Sequence, residues 1–352
     1  MNSLVLKAGP VAYDKIRREG LRPEMISHLV GAAGGPKWLV LNRLDRWLFG
    51  DWFKHRSTPL IAAGSSAGAW RLACAAQRDP LAAIQRFEDA YIGQRYGPKP
   101  TPAEISAEAR RILGIILGSD GAREIIGHPW LRLQVITARA RLGAGSASPL
   151  LQKAALLLAV LANGLDRRLL SLFFERVVFH APPSPLLGLK TDGFRTQHVA
   201  LTEANLQQAL LASGSIPMIM EAVRGLEGVT GTLLDGGMVD YHMDLPLEQP
   251  EGVVLLAHFS ERVVPGWLDK FLPWRQPRNL DHTLLLAPSR EFIASLPNGK
   301  IPDRNDFYLY LGADDRRISD WRRVVRECQR LADDFAELLT KDRLPQLLQA
   351  WS

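Results

Sequence analysis

Residues 25–77 alternate apolar runs with helical patterns, and this order constrains the fold more than any other feature of the chain. Met25 to Val30 is an apolar run that ends in a glycine cluster, and Pro59 to Ala63 is a second run. Each is followed by apolar residues at helical spacing, over Pro36 to Phe49 and over Ala67 to Gln77. Strands that alternate with helices favour a mainly parallel sheet covered on both faces, so we expect an α/β fold.

The rest of the chain extends this pattern. Asp314 to Leu339 has an apolar stripe at helical spacing and predicts a long helix packed on the sheet. Residues 96–175 are first rich in proline, then in glycine, alanine and serine, and then strongly apolar. We interpret much of this range as a helical insertion that forms a cap. Further strands are predicted at Leu133 to Ala138, Val177 to His180, Thr196 to Leu201, Thr232 to Leu234, Val253 to Phe259 and Thr283 to Ala287.

Composition limits the class of protein. Of the 352 residues, 47% are hydrophobic and 23% are charged, which are ordinary globular proportions. Cys74 and Cys328 have no C-x-x-C partners, so a disulfide framework and a cysteine zinc site are excluded and a reducing compartment is expected. We see no secretory signal in residues 1–10, and the longest apolar run, 154–165, is too short to span a bilayer. The sequence therefore predicts a cytoplasmic protein.

Charge says less about partners. The formal net charge of +6 permits attraction to nucleic acid or to anionic lipid but specifies neither. The arginine pairs at 316–317 and 322–323 lie on a helix whose other face is apolar, so we interpret them as solvated. No nucleic-acid partner is expected, and the oligomeric state is left open.

The first chemical motif is G-x-S-x-G at residues 64–68, between an apolar run and a helix. In a tight strand-to-helix turn, side chains at Gly64 and Gly68 would clash with neighbouring backbone, while Ser66 projects at the helix N-terminus. The helix dipole there favours a developing anion. Ser66 is therefore a candidate nucleophile, although the five-residue string alone could be a turn that caps a packed helix.

A glycine-rich loop precedes this motif, at Gly31-Ala32-Ala33-Gly34-Gly35-Pro36-Lys37-Trp38. Successive backbone N–H groups in such a loop can point into one concavity and bind an oxyanion or a phosphate. The Walker motif is excluded because G-K-[ST] is absent, and the dinucleotide fingerprint G-x-G-x-x-G does not fit.

The third motif is Asp235-Gly236-Gly237, at the end of a short apolar run. A carboxylate there can accept a proton from a serine hydroxyl, and the glycines permit close approach. Taken alone, Asp-Gly-Gly is typical of a turn.

In this order the three motifs resemble those of the patatin-like phospholipase family. Ala212-Ser213-Gly214-Ser215-Ile216-Pro217 also resembles a family segment that precedes the aspartate. The resemblance spans about Ile26 to Pro246 and is poor over residues 96–175. It implies a single domain over residues 1–352, folded as a three-layer α/β/α sandwich, and hydrolysis of acyl esters by a Ser-Asp dyad without a metal or another cofactor.

Carried over residue by residue, the resemblance implies Ser66 as nucleophile and Asp235 as base. It further implies an oxyanion hole at Gly34, Gly35 and Lys37. The family loop usually reads G-G-G-x-R-G, and here Ala33, Lys37 and Trp38 replace the first glycine, the arginine and the last glycine; Ser215 also replaces a usual alanine. The expected substrate is a lipid or another acyl ester.

Two alternatives belong to other classes. A Ser-His-Asp hydrolase remains open because His242, His258 and His282 all follow Asp235, and His242 lies closest to the motif. A non-catalytic lipid-binding protein would be indicated by loss of Ser66 or Asp235, and both are present.

Peripheral membrane contact is expected at one of two segments. Residues 263–278 combine Trp267, Phe271 and Trp274 with cations, as in an interfacial anchor, although their spacing also fits one helix face packed in the core. The apolar segment 150–165 is the other candidate.

Overall fold

The computed structural model describes residues 3–183, 186–248 and 250–351. Its centre is one sheet in which neighbouring strands follow the order β11-β1-β10-β9-β2-β3-β4-β5-β6, while β8 pairs with β4 and β7 with β8. The strands are β1 (Leu4–Ala8), β2 (Ile26–Gly31), β3 (Leu60–Ser65), β4 (Leu131–Ala140), β5 (Phe174–His180), β6 (Thr196–Ala200), β7 (Val223–Arg224), β8 (Thr232–Asp235), β9 (Val253–Ala257), β10 (Thr283–Pro288) and β11 (Gln349–Ala350).

The middle of the sheet is parallel, as predicted. Strands β10, β9, β2, β3 and β4 run in one direction, because each pairs in parallel with the next. Strand β1 is antiparallel to β10, and both β5 and β8 are antiparallel to β4. The prediction of a mainly parallel central sheet within an α/β/α sandwich is thus confirmed.

Helices connect and cover the strands. The α-helices are α1 (Pro10–Glu19), α2 (Asn42–Trp47), α3 (Ala67–Ala75), α4 (Pro80–Ile92), α5 (Pro102–Leu117), α6 (Gly121–Ile126), α7 (Pro149–Leu165), α8 (Leu206–Gly214), α9 (Arg290–Ser295), α10 (Asp306–Leu309), α11 (Asp314–Glu327), α12 (Gln329–Thr340) and α13 (Leu344–Leu347). Short 3-10 turns occupy Pro23–Met25, Gly35–Leu41, Arg167–Leu172, Gly236–Met238, Trp267–Phe271 and Pro297–Gly299, and a π-helical turn occupies Leu48–Trp52. Within the described ranges, no helix has the length and apolar character needed to cross a bilayer.

Three sequence expectations need correction. The helix predicted over Pro36 to Phe49 is a 3-10 turn, then α2, then a π-helical turn. The long C-terminal helix divides at Cys328 into α11 and α12. Residues 96–175 do not form one helical insertion, because β4 lies within them and pairs with β3 at the centre of the sheet. Only the segments that flank β4, with α5 before it and α7 after it, lie outside the sheet.

The hydrophobic core has two main parts. The larger one lies around the parallel strands and includes Trp38, Phe87 and Trp321. A smaller cluster lies under α7 and joins Ala155 and Ala159 of that helix to side chains of β4, β5 and β8. The smaller cluster attaches α7 to the edge of the sheet nearest the site described next.

Candidate active site

Ser66 occupies the sharp turn between β3 and α3. Its backbone has φ 53° and ψ −131°, a left-handed conformation that costs free energy for a residue with a side chain. The Ser66 N–H donates to Ser213 Oγ at 2.8 Å, and the Ser213 hydroxyl donates to the Ile136 carbonyl at 2.7 Å. Ser213 of α8 therefore ties the strained turn to β4.

The two glycines of this turn sit where no side chain fits. A Cβ on Gly64 would lie 2.7 Å from the Ala69 nitrogen, and a Cβ on Gly68 would lie 2.0 Å from the Gly31 carbonyl oxygen. Contacts this short do not occur in folded proteins, so glycine lets α3 approach β2 backbone to backbone.

Strand pairing brings Asp235 beside Ser66. Strand β3 runs parallel to β4 and ends with Ser65 opposite Ile136, whereas β8 runs antiparallel to β4 and ends with Asp235 opposite Thr137. The carboxyl ends of β3 and β8 therefore meet head to head at two consecutive residues of β4. Residues 169 positions apart in the sequence become neighbours through this register.

The Asp235 carboxylate has partners suited to a base. Burial raises the pKa of Asp235, while the neighbouring Ser66 side chain and the positive charges of Arg304 and Lys270 oppose that rise. The Gly237 N–H also donates to Asp235 Oδ1 at 2.7 Å. A Cβ on Gly236 would lie 2.2 Å from the Ile136 carbonyl oxygen, so this glycine permits the close packing against β4.

The glycine-rich loop follows β2 and lies against the same turn. Its Ala33 N–H donates to the Tyr241 carbonyl at 2.8 Å, and the Lys37 N–H donates to the Gly34 carbonyl at 3.4 Å. Because these two donors are engaged within the protein, Gly34 and Gly35 are the candidates to donate to an oxyanion. Lys37, which is also predicted to belong to the oxyanion hole, can therefore take part only through its side chain, which lines a cavity at Ser66.

An apolar cavity of about 340 Å³ opens on one side of Ser66. Helix α5 supplies Ile105, Ala109 and Ile112 to its wall, which also contains several aromatic rings. Cavities of this size and character suit an acyl chain. Its remaining apolar wall includes Trp70, Tyr91, Tyr96, Ile216, Ile219, Met220, Phe307, Tyr308 and Leu311.

A second, smaller cavity of about 180 Å³ also reaches Ser66, and it is cationic. Lys37, Lys270 and Arg304 line it together with Asp235 and Asp303. Burial lowers the pKa of Lys270 to about 8, with Arg304 and Lys37 adding repulsion, and burial likewise lowers the pKa of Lys37. Three cations with two carboxylates make this cavity suited to an anionic group.

Sequence reasoning missed three of these residues. Ser213 lies in the segment 212–217 that resembles a family segment, but its link to the Ser66 backbone depends on how α8 packs. Lys270 appeared only as part of an interfacial segment, and Arg304 had no motif around it. Basic residues in irregular loops give no periodic signal, and only the folded chain shows that they converge.

The histidines of the alternative triad lie outside both cavities. Among the described residues, no histidine lines either cavity at Ser66. His242 Nδ1 accepts from the Val264 N–H at 3.0 Å, and its ring lies 4.2 Å from that of His258. Burial lowers the pKa of His242 well below its ordinary value and that of His258 to about 3, so both rings are neutral at pH 7. His282 interacts with His28 instead.

The sequence matches one family of known proteins. The sequence profile of the family described as "Patatin-like phospholipase" matches residues 39–248. The chain belongs to this family. None of the curated proteins matches the sequence.

Two solved structures illustrate what the chain is similar to. One is the crystal structure of VipD from Legionella pneumophila, with 13% identity and a TM-score of 0.38, covering 97% of this chain and 70% of that one. Another is human GIVD cytosolic phospholipase A2, with 12% identity and a TM-score of 0.40, covering 96% of this chain and 63% of that one.

Proposed function

We propose that the chain is a serine acyl-ester hydrolase that cleaves lipid esters through an acyl-enzyme on Ser66, with Asp235 as the base. One observation carries the proposal: the ends of β3 and β8 meet on β4, so that Ser66 and Asp235 line the same cavity. A nucleophile paired directly with a base is the arrangement that covalent catalysis needs.

Acylation follows from this geometry. Asp235 accepts the hydroxyl proton while Ser66 Oγ attacks the ester carbonyl, and the carbonyl oxygen becomes an oxyanion. The Gly34 and Gly35 N–H groups and the N-terminus of α3 are the donors available for that charge, and each such donor contributes about 3 kcal/mol of transition-state stabilisation. When the tetrahedral intermediate collapses, the ester bond breaks and the alcohol leaves with the proton held by Asp235.

In deacylation, water is the nucleophile and Ser66 Oγ is the leaving group. Asp235 accepts a proton from water, and the hydroxide attacks the acyl carbonyl on Ser66. The fatty acid leaves as Ser66 Oγ takes the proton back. Since burial raises the pKa of Asp235, its carboxylate is a stronger base than an exposed aspartate, and this helps it serve without a histidine.

The two cavities give the substrate an orientation. The apolar cavity suits the acyl chain, and the cationic cavity suits an alcohol portion that carries negative charge, such as a phosphorylated glycerol. We therefore propose phospholipids and lysophospholipids as the substrate class, ahead of neutral acylglycerols.

The experiment compares Ser66→Ala, Asp235→Asn and the double variant with the wild type on a soluble short-chain ester and on phospholipid. Each single change should lower kcat by about a thousandfold or more, and the double variant should be no slower than the worse single one, because the two residues act as a unit. Ser215→Ala is the matched control, since that buried hydroxyl donates to the Leu211 carbonyl rather than to Asp235. Full activity in a folded Ser66→Ala or Asp235→Asn protein would rule out the dyad.

A further inference from the structure

Helix α7 turns its leucines outward and its small residues inward, which reverses the usual arrangement of a surface helix. Ala155 and Ala159 are buried, whereas Leu157 and Leu161 are 61% and 59% exposed. A helix gains more free energy by burying leucine than by burying alanine, so the packing inside this protein leaves the larger apolar area uncovered. The exposed leucines of α7 are Leu150, Leu151, Leu157, Leu158, Leu161 and Leu165.

The apolar surface continues beyond α7. Of the 21 large apolar side chains that are exposed in the described part of the chain, 12 belong to residues 142–172 or are Phe271 and Trp274. We call these 12 side chains the leucine face. A monomeric protein in water rarely exposes so concentrated an apolar surface unless something covers it.

The segment that carries Phe271 and Trp274 is attached to α7 through the buried carboxylate of Asp269. Asp269 is fully buried; its Oδ1 accepts from Asn163 Nδ2 at 2.8 Å, and its Oδ2 accepts from Arg167 Nε at 3.1 Å. Arg275 Nη2 donates to the Asn163 carbonyl at 2.7 Å. The hypothesis that Trp267, Phe271 and Trp274 form one core-facing helical stripe is wrong, since the 3-10 turn ends at Phe271 and the last two rings are 65% and 67% exposed.

The leucine face also adjoins the catalytic centre. The 3-10 turn Trp267–Phe271 sends Trp267 and Lys270 into the wall of the cationic cavity at Ser66, while Phe271 is exposed on its other side. One five-residue turn therefore forms both the edge of the apolar surface and the wall of the active site.

Charge identifies the covering partner. Residues 149–172 and 263–278 contain six cations and two carboxylates, and one of the carboxylates is the buried Asp269. Exposed Lys153, Arg168 and Arg278 lie within these segments. A second copy of the chain would bring the same positive charge against itself, whereas an anionic lipid surface complements both the charge and the apolar side chains.

We propose that the leucine face docks on a membrane with anionic headgroups. Helix α7 lies in the plane of the membrane, its leucines enter the boundary between headgroups and acyl chains, and Phe271 and Trp274 insert beside it. Docking places the opening next to Lys270 at the lipid surface. This inference goes beyond ester hydrolysis, and its test needs no turnover.

The test measures binding by the full-length Ser66→Ala protein to mixed vesicles of phosphatidylcholine and phosphatidylglycerol and to vesicles of phosphatidylcholine alone. Flotation gives the bound fraction, and quenching by brominated lipid reports insertion of Trp274, with Trp274→Phe as its reference. We expect binding to mixed vesicles, weaker binding without phosphatidylglycerol, and weakening by salt because exposed charges are screened.

Leu157→Gln with Leu161→Gln should lower vesicle affinity about tenfold or more, since each removes apolar area from the lipid contact. In the active background the same variant should hydrolyse a soluble short-chain ester at the wild-type rate, which shows that it is folded. Val11→Gln with Leu81→Gln, on α1 and α4, is the matched control, because those exposed residues lie outside the leucine face. Unchanged vesicle binding by the α7 variant would overturn the proposal, as would a wild-type dimer that the α7 substitutions convert to monomer.

Discussion

Substitution of Gly68 by alanine tests whether the contact between α3 and β2 sets the position of Ser66. Gly68 lies in the first turn of α3, and a Cβ there would be 2.0 Å from the Gly31 carbonyl oxygen and 2.7 Å from that of Ala32. The two backbones would have to separate by about 1 Å to reach even the shortest contacts seen in proteins. Because both sides of the contact are backbone, no rotamer change can relieve it.

The structure gives the sign and size of the effect. Overpacking costs about 1–3 kcal/mol, and the upper end applies where nothing can rotate away. The gain in helix propensity from glycine to alanine, about 1 kcal/mol, offsets part of this cost, so we expect a net destabilisation of about 2 kcal/mol. A displacement of about 1 Å between Ser66 and the Gly34 loop should also lower kcat about a hundredfold.

Gly114→Ala is the matched control. Gly114 lies inside α5, and a Cβ there would have nothing within 4 Å. Helix propensity then acts alone and should stabilise the protein by about 0.5–1 kcal/mol with kcat unchanged. Urea unfolding gives the two free energies, and hydrolysis of a soluble ester gives kcat. If Gly68→Ala stabilised the protein as Gly114→Ala does, and retained full kcat, the argument for the close approach of α3 and β2 would be refuted.

Three further predictions concern charge and protonation. Lys270→Met should raise KM for an anionic ester about tenfold and leave KM for a neutral short-chain ester nearly unchanged. In the wild type, the preference for the anionic ester should decline as pH rises through about 8, where Lys270 loses its proton. The free energy of unfolding should fall as pH falls below 6.5, by about 1.4 kcal/mol per pH unit for each buried neutral histidine. The reason is that His28 and His258 have folded pKa values of about 4 and about 3, so each ring gains a proton more readily in the unfolded chain. Urea titrations at several pH values would show no such slope if these rings were exposed. His242→Gln should keep kcat within about tenfold, and a loss of about a thousandfold in a folded protein would favour the histidine triad.

The sequence predicts the part of the fold around the candidate site well because its signals are local. Alternating strands and helices, with glycines at their junctions, indicate the parallel strands β2 and β3 and the turn at Ser66. Backbone contacts at Gly64 and Gly68 leave no room for a Cβ, so the turn requires glycine at both positions, and the sequence shows this directly. The family resemblance adds the pairing of Ser66 with Asp235, which spacing alone does not give.

What the sequence does not predict depends on contacts between distant segments. The sequence predicts a strand at Leu133 to Ala138, but only the pairing of β4 with β3, β5 and β8 shows that this strand is central to the sheet. Lys270 lies in a short 3-10 turn and Arg304 in a loop, and neither segment has a periodic pattern that indicates where its cation points. The sequence also does not predict that the α7 leucines are exposed, because apolar spacing along a helix does not tell which face packs inward.

Covalent labelling with a fluorophosphonate tests the central claim most directly. This reagent phosphonylates an activated serine, and peptide mass spectrometry identifies the modified residue. We predict a single adduct on Ser66 that forms at a rate lowered by Asp235→Asn, since that change removes the base but keeps the shape of the side chain. An adduct on another residue, no adduct on the folded protein, or labelling of Asp235→Asn at the wild-type rate would contradict the Ser66–Asp235 dyad.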